Sequence, residues 1–169
     1  MTPDLMCQCK GIANGQPLAT VVGVEKLHKA ASRVVATGSF WANAVPFAAA
    51  LATIDILENG GIEKMERSGQ MLRDGLHAQA NAHKLRITTS GPVQMPLLIF
   101  EGDREGGVPP ASSWDRIELW ASECAKRGVW FHPFHNNFLN AAHGEADISA
   151  ALKVTDAAFA AVAAQFGAG

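Results

Sequence analysis

Lys10 is the residue in this sequence whose type and surroundings could support covalent chemistry. It lies between an apolar segment that begins at Leu5 and a glycine-containing turn that runs from Gly11 to Gly15. A lysine at the end of a strand among apolar neighbours loses hydration, which favours the neutral, nucleophilic amine that reacts with carbonyl groups. The same residues also fit an ordinary surface lysine in a loop, because one lysine near glycines specifies little.

The cysteines are the next candidates for chemistry. Cys7 and Cys9 form a C-x-C pair beside Lys10, and Cys124 lies far along the chain. Metal sites generally need three or four ligands, and no matching pair of Cys or His follows downstream. We therefore interpret the cysteines as buried small apolar thiols and expect no metal site.

Three histidines lie close together in the sequence: His132, His135 and His143. Histidine serves as a metal ligand and as a general base, so such a group could mark a site. The spacing does not place the three rings on one face of a helix. We interpret them as loop or core residues.

The composition excludes several classes of protein. Hydrophobic residues make up 48% of the 169 residues, charged residues make up 18%, and the formal net charge is -2, so no basic surface for nucleic acid is expected. The longest apolar stretch, Ala44 to Leu57, is too short to span a bilayer and carries Asp55, so we expect a buried helix and no membrane association. The odd number of cysteines and the absence of a signal-like N-terminus favour the cytoplasm.

Lys10 stands within a series of short motifs. In order, these are Pro3-Asp4-Leu5, Lys10, Ala13-Asn14-Gly15, Pro17-Leu18-Ala19 and Val22-Gly23. The series resembles the active-site lysine region of the class III aminotransferases, in the branch that includes glutamate-1-semialdehyde 2,1-aminomutase. The resemblance implies that Lys10 holds pyridoxal 5'-phosphate (PLP) as a Schiff base and moves the proton between substrate and cofactor.

A second region, which begins at Gly38 and Ser39, is similar to the phosphate-binding segment of the same family. The sequence Gly38-Ser39-Phe40 precedes an alanine-rich run, and Ser39 stands where family members usually carry threonine. The resemblance implies that Gly38 and Ser39 bind the phosphate of a PLP held by the neighbouring subunit of a homodimer. Ala42 departs from the usual glycine. The residues alone also fit Ser39 as the N-cap of the helix that follows, which is compatible with phosphate binding.

The resemblance extends to the C-terminus but covers only the C-terminal part of a full family member. Family members carry, upstream of the lysine, an acidic residue that pairs with the pyridine nitrogen and an aromatic residue that stacks on the ring. Neither can lie before Pro3, so we expect a truncated chain whose isolated form is inactive.

Periodicity and turn signals predict alternating strands and helices along the chain. We expect extended segments from Leu5 and over Leu18 to Gly23, a helix over Glu25 to Ala31, a buried strand over Arg33 to Thr37 and a packed helix over Ala42 to Leu57. Further on we expect an amphipathic helix over Ile62 to His83, strands over Leu85 to Thr89 and Met95 to Glu101, a loop over Gly102 to Pro110, a helix over Ser113 to Arg127, a strand over Val129 to Phe134 and a helix over Asp147 to Phe166.

This order predicts an α/β protein with two unlike parts that meet near Asn59 to Gly61. Residues 1–59 have too few strands to bury their apolar segments and look like a piece of a larger sheet. By the resemblance, they are the end of the large domain of a PLP enzyme of fold type I, and residues 60–169 are its small α+β C-terminal domain.

The resemblance implies an enzyme that moves an amino group between small-molecule donors and acceptors with PLP. A class III aminotransferase is the first hypothesis, and the intramolecular reaction of glutamate-1-semialdehyde 2,1-aminomutase is an alternative. A second alternative is a non-catalytic remnant that at most packs against a partner.

Overall fold

The computed structural model describes residues 2–35, 38–100 and 113–167. It divides into two compact units, Met1–Gly60 and Gly61–Gly169, which are described separately below. The predicted loop from Gly102 to Pro110 and the end of the predicted strand at Ala36 and Thr37 lie outside the described residues.

The first unit begins with an antiparallel hairpin. Strand β1 (Leu5–Gln8) pairs with strand β2 (Thr20–Gly23), and Leu5 lies opposite Gly23 in the register. A Cβ atom added to Gly23 would lie 2.7 Å from Cδ2 of Leu5, so the absence of a side chain lets Leu5 lie across the hairpin. Both predicted extended segments are thereby confirmed.

The residues after β2 form a short helical segment and not a second pair of strands. A 3₁₀ turn (Glu25–Leu27) continues into helix α1 (His28–Ala31), as predicted. The buried strand predicted from Arg33 is wrong over its described part, because the backbone N–H of Val34 donates to Ala31 and the Val35 side chain is 88% exposed. A β-branched run forms a strand only where another strand pairs with it, and among the described residues of this unit β1 and β2 pair with each other.

Helix α2 (Ala44–Ile56) confirms the predicted long helix but not its burial. Its N-cap is Asn43, whose Oδ1 atom accepts a hydrogen bond from the backbone N–H of Val45 at 3.1 Å. Within α2 only Pro46 and Ala50 are buried. Its exposed apolar side chains are Val45, Phe47, Leu51, Ile54 and Ile56. The expectation of a buried helix is therefore wrong, because the described residues supply no surface that covers these side chains.

The connection after α2 breaks helical geometry. Asn59 and Gly60 have φ values of -99° and 90°, and helix α3 (Ile62–Ala82) begins directly afterwards. By length and composition alone, the stretch Ala44–Ala82 would qualify as a helix able to cross a membrane, with 17% of its apolar window buried. This is weak evidence for a span, since the stretch contains two helices and α3 is amphipathic.

The second unit packs three helices and a hairpin around one hydrophobic core. Helix α5 (Glu145–Phe166) contacts both α3 and α4 (Ser113–Lys126), and strand β4 (Leu97–Phe100) contacts α4. Strand β3 (Ile87–Ser90) pairs antiparallel with β4, so both predicted strands are confirmed. The largest fully buried side chains are Trp120, Phe100, Phe159, Leu85, Val162, Thr155 and Cys124.

The segment after α4 is an ordered loop and not the strand predicted over Val129 to Phe134. Gly128, with φ of 86°, ends the helix as predicted. The ring of Phe131 then packs on Trp120 with centroids 4.8 Å apart, whereas Trp130 is 72% exposed. The backbone N–H of His132 donates to a side-chain oxygen of Asn137 within the same loop, so it is not available for a sheet ladder.

Helix α5 begins two residues earlier than predicted and makes a partly buried polar contact with α3. The side chain of Asp147 accepts a hydrogen bond from the backbone N–H of Gly144 and so caps the helix. Farther along, the hydroxyl of Thr155, which is fully buried, donates to Oε1 of Gln79 at 2.7 Å. The Gln79 amide donates in turn to the carbonyl of Leu152 at 2.7 Å.

Candidate functional site

Lys10 lies at the point where the chain leaves β1. Cys9 is still extended (φ -153°, ψ -170°), and a 3₁₀ turn (Lys10–Ile12) follows it. The φ of Lys10 is 54°, in the left-handed region that costs a residue with a side chain about 1–2 kcal/mol. Helix α2 contacts this turn, so the packing of the first unit holds Lys10 in its strained conformation.

The predicted apolar surroundings of Lys10 are not seen. Its side chain is exposed, and the apolar residues Leu5 and Met6 on the preceding strand are themselves 56% and 43% exposed. The prediction that apolar neighbours desolvate the amine is therefore wrong for this chain. Those neighbours have no partner surface among the described residues that would exclude water from the amine.

The turn forms one side of an open depression of about 460 Å³. Gly11 and Gly15 contribute open space to it, because a Cβ atom added at either residue would meet no atom within 4 Å. The depression is open to solvent, so it leaves the amine of Lys10 accessible but does not enclose a ligand. The lining residues are Cys9, Lys10, Gly11, Asn14, Gly15, Gln16, Pro17 and Leu18.

Gly38 and Ser39 lie in a tight turn ahead of α2. The backbone N–H of Trp41 donates to the carbonyl of Gly38 at 3.1 Å, and the Ser39 side chain is exposed. The interpretation of Ser39 as N-cap is wrong, since Asn43 caps the helix. Ser39 is not among the residues that line the depression at Lys10, so the structure does not bring these two candidates into one cavity within the chain.

The cysteines differ in environment. Cys7 and Cys9 are exposed, which corrects the expectation that all three thiols are buried, whereas Cys124 on α4 is buried in the core of the second unit. Burial raises the pKa of the Cys124 thiol to about 12, with Glu123 adding to the rise and Arg127 opposing it. Cys124 is therefore a protonated core residue at neutral pH.

The three histidines contribute to loop structure. Nδ1 of His132 accepts from the backbone N–H of Phe134 at 3.1 Å, and Nδ1 of His143 accepts from that of Asn140 at 3.2 Å. The ring of His135 lies 5.8 Å from that of His132. No group of three metal-ligating side chains comes together within residues 2–35, 38–100 and 113–167.

Sequence reasoning missed part of the site. Cys9, Asn14 and Gln16 line the depression beside Lys10, and Asn14 also has a left-handed backbone with φ of 41°. Their proximity to Lys10 in the sequence could have identified them. The left-handed conformation of Lys10 could not have been predicted, because it is uncommon for lysine and no residue pattern marks it.

Solved structures define the class of protein. The PLP internal aldimine form of the FumI protein of Sphingopyxis sp. MTA144 superposes with a TM-score of 0.87 at 42% identity, over 97% of this chain and 38% of that chain. An omega-transaminase from Sphaerobacter thermophilus shares the fold, with a TM-score of 0.84 at 21% identity over 95% of this chain and 39% of that one. The architecture is that of part of a transaminase, as predicted.

Sequence relatives narrow the class to a family. The sequence model of the family described as Aminotransferase class-III matches residues 1–144. The aminopentol aminotransferase of Sphingopyxis macrogoltabida is 42% identical over 165 residues, which cover 97% of this chain and 37% of that relative. A glutamate-1-semialdehyde 2,1-aminomutase of Syntrophobacter fumaroxidans is 30% identical over 94% of this chain and 39% of its own length. The chain belongs to the class III aminotransferase family, whose members depend on PLP.

The chain thus spans less than two fifths of the length of the curated relatives it matches. The resemblance found from Lys10 and its neighbours is confirmed at the level of the family. The roles of Lys10, Gly38 and Ser39 stay predictions, because no comparison tests individual residues.

Proposed function

We propose that the chain is the C-terminal part of a PLP-dependent class III aminotransferase that transfers an amino group between small molecules. The observation that carries the proposal is the 42% identity to an aminopentol aminotransferase over 97% of the chain. Residues 1–59 would then complete the large domain, and residues 60–169 would form the small C-terminal domain.

Lys10 is the residue proposed to bind the cofactor. Its amine is exposed at a strained turn and lies beside an open depression, so a carbonyl compound can reach it. The same amine would be the group that holds and moves the proton at the substrate carbon. The cofactor itself supplies an electron sink for the negative charge that develops there.

Gly38 and Ser39 are proposed to bind the phosphate group. The Ser39 hydroxyl is exposed in a turn, where it can donate to an anion. The family resemblance implies that this phosphate belongs to a cofactor held by a neighbouring subunit, and Ser39 lies outside the depression at its own Lys10. A homodimer and a cytoplasmic location both remain predictions.

The aminomutase reaction is the second candidate. It is supported by relatives of that name at 30% identity over 94% of the chain, which is lower than the identity to the aminotransferase. A test is to join this chain to the remaining part of the Sphingopyxis macrogoltabida relative. The chimera is then assayed for transfer to an external keto acceptor and for isomerisation of glutamate 1-semialdehyde. Isomerisation without external transfer would favour the aminomutase.

The experiment that tests the role of Lys10 traps the cofactor on the protein. The chain is incubated with PLP and reduced with borohydride, and the modified lysine is located by peptide mass analysis. Lys84 provides the matched control, because it is also exposed and also has a left-handed backbone, with φ of 57°.

We expect modification at Lys10 above the other lysines, its loss in Lys10→Ala and its retention in Lys84→Ala. Binding by the chain alone should be weak and should give no measurable amino transfer, whereas the chimera should transfer amino groups only with Lys10 present. Equal labelling of Lys10 and Lys84, or full activity of the Lys10→Ala chimera, would contradict the proposal.

A further inference from the structure

We propose that Cys7 and Cys9 form a dithiol site that chelates two-coordinate thiophilic ions and trivalent arsenicals. Both thiols are exposed and are separated by one residue: Cys7 lies in β1, and Cys9 follows the strand directly and precedes Lys10. The site goes beyond the proposed function, which assigns no role to either cysteine.

The alternation of side chains along β1 places both thiols on one face. Residues i and i+2 of an extended chain point to the same side. The side chains of Met6 and Gln8 follow this rule, since the Gln8 amide lies 3.9 Å from the sulfur of Met6. Cys9 continues the extended conformation, so Cys7 and Cys9 lie together on the opposite face.

The spacing of the two residues suits a bridging atom. An extended chain advances about 3.3 Å per residue, so the two Cα atoms lie about 6.6 Å apart. This distance is near the upper end of the range for a disulfide, about 4.4–6.8 Å. Two metal–sulfur bonds of about 2.3 Å each span up to about 4.6 Å between sulfurs, so a metal or arsenic atom can bridge the thiols with little backbone movement.

The number of coordinating side chains determines which ion or group the site can bind. In the part of the chain that the structure describes, no third Cys, His, Asp or Glu joins the pair, which excludes a closed tetrahedral zinc site there. Soft thiolate ligands prefer soft, thiophilic centres, and two of them suffice for a two-coordinate ion or an arylarsenic group.

Phenylarsine oxide is the probe that we would use, because its reaction with a thiol pair is balanced without a redox step. Each sulfur forms a bond to arsenic as its thiol proton leaves. The two protons depart with the oxygen of the reagent as one water molecule, and arsenic keeps its oxidation state. The purified, reduced 169-residue chain is titrated, the adduct is counted by mass analysis, and glutathione is added as a monothiol competitor.

We expect one phenylarsenic group per chain that resists glutathione and is removed by a small dithiol. Cys7→Ser and Cys9→Ser should each bind at least about a hundredfold more weakly, because chelation converts the second bond into an intramolecular step. Cys124→Ser is the control and should bind like the unmodified chain, since its thiol is buried. Circular dichroism checks that each variant keeps its helices.

Equal retention of the adduct by either single variant, or no glutathione-resistant adduct on the unmodified chain, would overturn the proposal. Loss of the adduct in Cys124→Ser would do the same. Because Cys9 also lines the depression at Lys10, the bound arsenical should reduce PLP trapping there, an expectation that rests on the proposed function. The mass analysis needs no PLP, so it tests the dithiol site independently of the proposed cofactor site.

Discussion

Three residues with left-handed backbones lie at or near the candidate cofactor residues: Lys10 itself, Asn14 soon after it, and Ala42 shortly after Ser39. Ala42 has φ of 60° and stands where the family resemblance leads us to expect glycine. Glycine adopts this conformation without a clash of its Cβ atom, whereas alanine is strained in it. The departure seen in the sequence therefore has a physical consequence for the turn ahead of α2.

Ala42→Gly should stabilise the chain by about 0.5–1 kcal/mol, which is the strain relieved less the greater backbone entropy of unfolded glycine. Ala48→Gly in the interior of α2 is the matched control and should destabilise by about 1 kcal/mol, because its backbone is helical. Urea denaturation measures both free energies. A loss of stability in both variants would show that residue 42 is not strained.

Ser39→Ala should weaken PLP retention in the chimera by about tenfold to a hundredfold, because one hydrogen bond to a charged phosphate is worth about 1.5–3 kcal/mol. Ser39→Thr keeps the hydroxyl and should retain PLP like the unmodified protein. Dialysis followed by the absorbance of bound cofactor measures retention. Equal retention by all three proteins would remove Ser39 from the phosphate site.

The sequence predicts roles for Lys10 and Ser39 because functional groups stand there in the order that the family resemblance leads us to expect, and these roles stay predictions. It did not predict the exposure of Lys10 or the cap at Asn43. Exposure depends on which surfaces cover a side chain, and the cap depends on where the backbone first turns helical. Both are properties of the folded backbone that a single residue pattern does not contain.

At the scale of elements, two glycines of α3 differ in the kind of neighbour that an added side chain would meet. A Cβ atom added at Gly69 would overlap the backbone carbonyl of Val93, whereas one added at Gly75 would meet the side chain of Leu152 at 2.5 Å. A side chain can rotate away, but the backbone of a packed loop cannot. The two positions should therefore respond differently to the same substitution.

Gly69→Ala should destabilise by about 1–3 kcal/mol through overpacking, despite the gain in helix propensity of about 1 kcal/mol. Gly75→Ala, the matched variant on the same helix, should cost less, because Leu152 can change rotamer. Thermal unfolding of the two proteins under identical conditions gives the comparison. A higher melting temperature for Gly69→Ala than for Gly75→Ala would refute this account.

Helices α3 and α4 were predictable because each carries a one-sided apolar pattern that can be recognised within its own segment of the sequence. The strands predicted over Arg33 to Thr37 and Val129 to Phe134 were wrong where the structure describes them, since a strand needs a neighbour that local sequence cannot specify. The prediction of β3 and β4 was correct because the sequence Ser90-Gly91-Pro92 is a local turn signal between two segments that pair with each other.

At the scale of the whole molecule, the two units differ in how well they bury apolar side chains. Residues of the second unit form a continuous core around Trp120 and Phe159. In the first unit, Phe40, Trp41 and Leu51 are 87%, 64% and 69% exposed. Exposed apolar surface of this kind favours association and gives little resistance to local opening.

Amide hydrogen exchange should therefore be faster in β1, β2 and α2 than in α3 and α5, and the chain should bind a hydrophobic dye. Exchange followed by peptide mass analysis resolves the two units. In the chimera, slower exchange of α2 and weaker dye binding are expected, because the added part supplies a partner surface. A monodisperse monomer with uniform protection and no dye binding would contradict this prediction.

The contact between the half-buried Gln79 and the fully buried Thr155 adds a polar constraint to the lengthwise alignment of α5 on α3. Sliding α5 by one turn, about 5.4 Å, would already displace Phe159 from Trp120, whose ring centroid lies 5.5 Å from its own. The Gln79 side chain would lose both partners on α5, the Thr155 hydroxyl and the Leu152 carbonyl, at a cost of about 0.5–1.5 kcal/mol for each hydrogen bond. One amide and one hydroxyl therefore penalise the same displacement as the aromatic contact, so polar and apolar contacts together favour a single position of α5.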